Sequence, residues 1–271
     1  MLSSITTITA LIALSNAHPW VPSGDLPMDL TVTFSAPEMV YSVCDRDFTQ
    51  SAKNFSVATA GVAVNPGQTA NDPTMTITGA SPGDMFTILM LDSDAPAPDN
   101  DVGGTLKPLL HMLITNITNA DPSTGTVVDP YVGPMPPPCQ PANTYHYLLL
   151  KQTAALSLTF DDLPQYTPNC TLPVFAGKCL FEVTNFISSN QLTTVGYASM
   201  VAGADGFVRY TQVNDPVLSW MTEADTCKGI DGYDPCPTLA TAPPSSSSDN
   251  VKMSIMASAW CLIFSFIFAL N

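Results

Sequence analysis

Residues 85–100 read MFTILMLDSDAPAPDN. The stretch from Met85 to Leu91 is nearly all apolar, which predicts a strand buried on both faces. It runs into two carboxylates, Asp92 and Asp94. Residues two apart on an extended chain point the same way, so both carboxylates are expected on one side of the strand end. The Ala95–Pro96 and Ala97–Pro98 steps force extended or turn geometry and stop the strand. The stretch reads as a central strand that delivers acidic side chains to a cleft or to solvent.

The segments around it are short and β-rich. LTVTF (30–34) and TMTITG (74–79) alternate, and LLHMLITN (109–116) and YHYLLLK (145–151) are further strands. VGYASMV (195–201) and FVRYTQV (207–213) flank AGADG, which predicts a hairpin. In FEVTNFISSNQL (181–192), Val183, Phe186, Ile187 and Asn190 recur at helical spacing. The expected fold is mostly β, a sandwich with a few peripheral α-helices, in one domain over about residues 25–225.

The two ends carry different signals. Residues 1–17, MLSSITTITALIALSNA, are apolar and hydroxylated, with Ser15 and Ala17 as small residues before a cleavage point. They read as a secretory signal peptide, with a short membrane anchor as the alternative. Residues 226–250 form a Ser/Pro/Cys-containing stalk, and 251–271 are a short hydrophobic tail. Small residues, a spacer and an apolar terminus form the signal for a GPI anchor, here placed on Ser246. A single-pass tail anchor is the alternative. The expected location is the secretory pathway and then the outer face of the plasma membrane or the cell wall.

Cysteine usage fits that route. Cys44, Cys139, Cys170, Cys179, Cys227 and Cys236 precede the tail, an even set in an oxidising compartment. Six cysteines allow 15 pairings, and Cys170–Cys179 and Cys227–Cys236 are the local ones. Glycosylation signals stand at Asn54, Asn116 and Asn169. Asn116 lies inside an apolar run, and Asn169 abuts Cys170. The formal charge of -15, from 8 Lys+Arg against 23 Asp+Glu, excludes a nucleic-acid partner, whose phosphates need a basic surface.

His111, one of only three histidines, sits on an apolar strand with Leu109, Leu113 and Thr115 expected on its face. YVGPMPPPCQPANTYHYLLLKQ (131–152) is a rigid proline loop entering a strand. On that strand Asn143, Tyr145 and Tyr147 share one face and His146 points to the other.

In order and spacing, MLDSDAPAP, LLHMLITN, TGTVVDPYVGPMPP and TYHYLLLKQ resemble the phosphatidylethanolamine-binding protein family, over roughly residues 28–200. The resemblance implies a β-sandwich with a small pocket for anions, phosphoryl groups or lipid headgroups. It assigns ligand-binding roles to Asp92, Asp94, Pro96, His111, Gly133, Pro136, Pro137, Asn143 and Tyr145. Ser93 replaces the family's proline between the aspartates, and Asn143 and Thr144 fall where the family has His and Arg. A register using His146 instead would flip the strand's alternation. Acidic neighbours would hold His111 protonated, ready to donate to an anion, while Asn143 offers only a neutral amide donor.

These features point to a non-catalytic binding protein at the cell surface, with membrane attachment through the GPI anchor. The alternative is a protease inhibitor or interaction module of the same fold, with a peptidase as partner. No catalytic residue, metal site or cofactor is expected, because no G-x-S-x-G or H-E-x-x-H occurs.

Overall fold

The structure, a computed structural model, describes residues 18–43, 46–58, 60–95, 106–170 and 175–214. The strands, in chain order, are β1 (Asp29–Ala36), β2 (Met39–Val43), β3 (Arg46–Gln50), β4 (Lys53–Val57), β5 (Val62–Val64) and β6 (Thr74–Thr78). They continue with β7 (Met85–Asp92), β8 (Leu109–Thr118), β9 (Thr126–Asp129), β10 (Asn143–Gln152) and β11 (Thr193–Ala202). Two α-helices join them, α1 (Val183–Ser189) and α2 (Gly206–Asn214). The signal peptide, Pro96, Cys44, Cys227, Cys236, the stalk, Ser246 and the tail lie outside the described residues.

The strands make a six-stranded sheet in the order β5-β11-β10-β7-β8-β9, a three-stranded sheet β4-β1-β6 and a two-stranded β2-β3 ribbon. β7 is central, antiparallel to β8 on one side and to β10 on the other. Its apolar run follows from that position, because both faces of the large sheet are covered. On one face Phe86, Ile88, Met90, Tyr147, Leu149 and Met200 pack against Leu30, Val32 and Phe34 of the small sheet. On the other, Leu89, Leu91, Leu148 and Leu150 lie beneath Trp20, Leu163, Phe181 and Phe186. The expected β-sandwich with peripheral helices is therefore the observed fold.

The helix predicted at 181–192 forms over its middle. Phe186 is fully buried, and Asn190 closes the end by donating to the Phe186 carbonyl at 2.8 Å and to Tyr166 Oη at 2.9 Å. The hairpin predicted at 195–213 does not form. β11 is present, but residues 206–214 are α2. Asp205 decides this, because its Oδ1 accepts from the N–H groups of Phe207 and Val208 at 3.0 and 3.1 Å, a helix N-cap. Its Oδ2 accepts from Gly67 N at 3.0 Å and ties the helix start to the preceding turn. Phe207 and Tyr210 pack on Tyr41 of β2, so tertiary contact overrides the β-branched and aromatic composition.

Cys170 and Cys179 form the expected disulfide. Cys139 is also disulfide-bonded.

Candidate functional site

The end of β7 and the start of β10 lie side by side, with Asp92 opposite Tyr145. Asn143, Tyr145 and Tyr147 share the face predicted for them, and Asp92 stands on that face too. The Asp92 Oδ2 accepts from Asn143 Nδ2 at 2.8 Å, and both side chains are buried. The Tyr145 hydroxyl faces the Asp92 carboxylate and the Met135 backbone without reaching hydrogen-bond geometry.

His111 joins them through a β-bulge. Met90 pairs with Met112 and Leu91 with Leu110, so His111 is an extra residue in β8. A bulge re-aims a side chain. His111 thus packs edge-on to Tyr145, with ring centroids 5.2 Å apart, whereas Leu113 joins the opposite core. The face predicted for His111 with Leu113 is corrected accordingly. Val132 holds the ring. The His111 Nδ1–H donates to the Val132 carbonyl at 2.8 Å, and the Val132 N–H donates to the His111 carbonyl at 2.8 Å. That leaves Nε2 buried, without a partner, and 3.9 Å from Asp92 Oδ2.

Asp94 does not join the cluster. β7 ends at Asp92, so the two-residue alternation does not continue. The Asp94 N–H donates to Asp92 Oδ1 at 2.8 Å, and the exposed Asp94 carboxylate turns back to accept from Thr144 N at 2.8 Å. The expected pair of carboxylates on one side is therefore a buried one and an exposed one. In the proline loop Pro136 and Pro137 are buried, and Gly133 is required by a close approach: a Cβ there would stand 2.9 Å from the Thr69 carbonyl. A surface depression of about 600 Å³ lies elsewhere, among Trp20, Pro108, Phe181 and Val183, and none of the candidate residues lines it.

The chemistry of the cluster differs from the expected protonated histidine. Burial pushes His111 down to about 4, and Lys178 adds to the effect. Burial pushes Asp92 up to about 6, against the hydrogen bonds from Asn143 and the Asp94 N–H. Near neutral pH the pair is an ionised carboxylate facing a neutral imidazole. Desolvation outweighs the attraction between them, because neither group meets water.

Residues 47–198 match the family model described as phosphatidylethanolamine-binding protein. This chain belongs to the phosphatidylethanolamine-binding protein family. A relative from Drosophila melanogaster, putative odorant-binding protein A5, is 27% identical over 113 residues, covering 42% of this chain and 49% of that protein. The chain thus spans about half the length of this relative. Among solved structures, a phosphatidylethanolamine-binding protein from Plasmodium falciparum is 18% identical, with 66% of this chain and 86% of that one covered and a TM-score of 0.42. A carboxypeptidase Y inhibitor complexed with its cognate proteinase is 17% identical, with 55% and 78% covered and a TM-score of 0.41.

One array went unseen in the sequence, where His146 was set aside by its alternation. On the opposite face of β10, His146 Nε2 lies 3.0 Å from Ser93 Oγ, and its Nδ1 lies 2.8 Å from Tyr197 Oη. The order serine, imidazole, hydroxyl resembles a nucleophile with its base and orienting group. However, Ser93 Oγ also lies 3.2 Å from the Asp94 carboxylate and 3.3 Å from the Thr144 carbonyl, acceptors that compete with His146 for its single hydroxyl proton. The array works as a strut joining the end of β7 to β10 and β11 beneath Trp20, whose ring sits 5.1 Å from that of His146. Only the fold could reveal it, since 53 residues separate Ser93 from His146.

These burials contribute to the acid stability of this family member, alongside shifted carboxyls such as the buried Asp129. Burial also pushes His146 down to about 4. Below pH 6.5 the unfolded histidines take protons that folded His111 and His146 refuse, so stability is lost as pH falls from 6.5 towards 4. Asp92 acts in the opposite sense, because its folded carboxyl binds a proton near pH 6 and its unfolded one near 4. Two histidines against one carboxyl leave stability falling by about 1.4 kcal/mol per pH unit from these three groups. His146→Gln should remove that net slope, leaving His111 and Asp92 to cancel. Urea midpoints at pH 4.5 and 6.5 test this; an unchanged slope in the variant would show that His146 is not held neutral.

Proposed function

We propose that this protein is a non-catalytic binding protein of the outer cell surface that takes a phosphoryl-bearing headgroup at the cluster of Asp92, His111, Asn143 and Tyr145. Asp94, Gly133, Pro136 and Pro137 form its surroundings in this reading, and the family resemblance alone assigns Pro96 a role there. The observation that carries it is the buried, unpartnered His111 Nε2 facing Asp92 Oδ2 at 3.9 Å. With Nδ1–H committed to Val132, neutral His111 presents a lone pair at Nε2. The Asp92 carboxylate is a second acceptor. Two buried acceptors facing each other call for a donor, and leaving them without one is costly. A headgroup with an ammonium N–H or an acidic phosphate O–H supplies it; a fully ionised phosphate does not.

The fly relative's name, a putative odorant-binding protein, supports binding rather than catalysis. The Cys170–Cys179 disulfide supports an oxidising compartment. The two terminal signals in the sequence support export and GPI attachment.

The ligand class is tested by thermal shift with phosphoethanolamine, phosphocholine and inorganic phosphate. Phosphoethanolamine should stabilise the protein, and phosphocholine, whose ammonium has no N–H, should bind at least tenfold more weakly, about 1.4 kcal/mol. His111→Leu should abolish the shift. No shift with any of the three would remove the site; equal shifts with phosphoethanolamine and phosphocholine at pH 8, where both phosphates are fully ionised, would remove the donor requirement.

A further inference from the structure

Three glycosylation signals occur in the chain, and the fold treats two of them in opposite ways. Asn54 lies in β4, an outer strand of the three-stranded sheet that pairs only with β1 among the described residues. Asn54 and Ser56 are exposed, while Phe55 and Val57 turn inward. The Asn54 amide therefore stands on the outward face, with space for a glycan.

Asn116 lies at a bulge of β8, with φ 57. Its Nδ2 donates to the Leu156 carbonyl at 2.9 Å, and its Oδ1 accepts from the Leu156 N–H at 2.8 Å. The same Oδ1 accepts from Gln152 Nε2 at 3.0 Å. The side-chain amide thus copies a strand residue and latches the 153–157 segment onto β8. A closed pair of this kind, with both amide atoms on one residue, uses the Nδ2 hydrogen on the same side as Oδ1. An N-linked sugar takes that position, because the substituted amide is trans like a peptide bond. A glycan at Asn116 would remove the hydrogen that makes the latch and push against Leu156.

We propose that Asn54 is the glycosylated position of this pair and that Asn116 carries no glycan in the folded protein, its amide being a structural latch. The proposal rests on entry into the secretory pathway. A sugar on Asn54 would also stand beside the edge of β4 that is unpaired among the described residues, where bulk discourages edge-to-edge pairing. Asn169 is exposed as well, in the turn before Cys170.

The test expresses the full chain in a eukaryotic secretory host behind its own first 17 residues and, in parallel, behind a heterologous signal peptide. Folded, exported protein is deglycosylated with peptide-N-glycosidase in heavy-oxygen water, and its peptides are read by mass spectrometry. The label should appear on Asn54 and be absent from Asn116. Asn54→Gln should lose a glycan's mass and keep its thermal midpoint, whereas Asn116→Gln should keep its glycan mass and unfold at lower temperature. Label on Asn116 in folded protein, or an unlabelled Asn54 behind the heterologous signal, would overturn the proposal. Label on Asn54 only behind the heterologous signal would uphold it and remove the export reading instead.

Discussion

Gln152→Ala is expected to lower the folding stability by about 4 kcal/mol, the largest loss of any single polar substitution discussed for this domain. Gln152 is buried at the end of β10. Its Oε1 accepts from Thr87 Oγ1 at 2.9 Å and from the Asn116 N–H at 2.8 Å. Its Nε2 donates to Asn116 Oδ1 at 3.0 Å and to the Ala154 carbonyl at 2.9 Å. Removing the amide strands the Asn116 N–H and the Thr87 hydroxyl, each at about 1–3 kcal/mol, and opens a cavity. Gln152→Met separates the two effects: it refills the volume without restoring the hydrogen bonds, so it should recover less than half of the loss. Chemical denaturation measures both. A loss below about 1 kcal/mol for the alanine variant would mean that water replaces the side chain.

Asn143→His should raise affinity for inorganic phosphate at pH 6 by at least tenfold, about 1.4 kcal/mol or more. Asn143 Nδ2 donates to Asp92 Oδ2 at 2.8 Å, so an imidazole there would donate directly to the carboxylate, a hydrogen bond favouring the charged form that His111, 3.9 Å away, does not make. The variant supplies the cation that this chain lacks at the position where its family resemblance implies histidine. The larger ring in a position only 3% exposed costs about 1–3 kcal/mol of stability, measured separately by denaturation. The gain in affinity should vanish at pH 8, where the imidazole is neutral. Calorimetric titration at both values decides it: a gain that persists at pH 8, or none at pH 6, would show that charge at this position does not govern the ligand.

Much of the architecture was legible from local pattern. The apolar run at 85–91, the strands at 109–116 and 145–151 and the helix around Phe186 all appear where periodicity placed them, because burial of one face or two is written directly into residue spacing. The strands β2, β3, β4, β5 and β9 were not predicted; none exceeds five residues, and a run that short seldom carries the clear alternation that TMTIT gives β6. α2 was misread for a different reason. Its composition suits a strand, and the deciding residue is a cap, Asp205, whose effect depends on the Gly67 turn far away in sequence.

The candidate site divides along the same line. By itself the sequence determined that Asp92 ends one apolar strand and that Asn143 and Tyr145 share a face of another, since alternation fixes side-chain direction within a regular strand. The tertiary structure alone decided that Asp94 leaves the cluster, that a bulge turns His111 into it, and that His111 is neutral while Asp92 holds its proton more tightly than usual. Bulges arise from how two strands fit together, and desolvation depends on everything packed around a group from distant segments. Neither is a property of the residues immediately beside it in the chain.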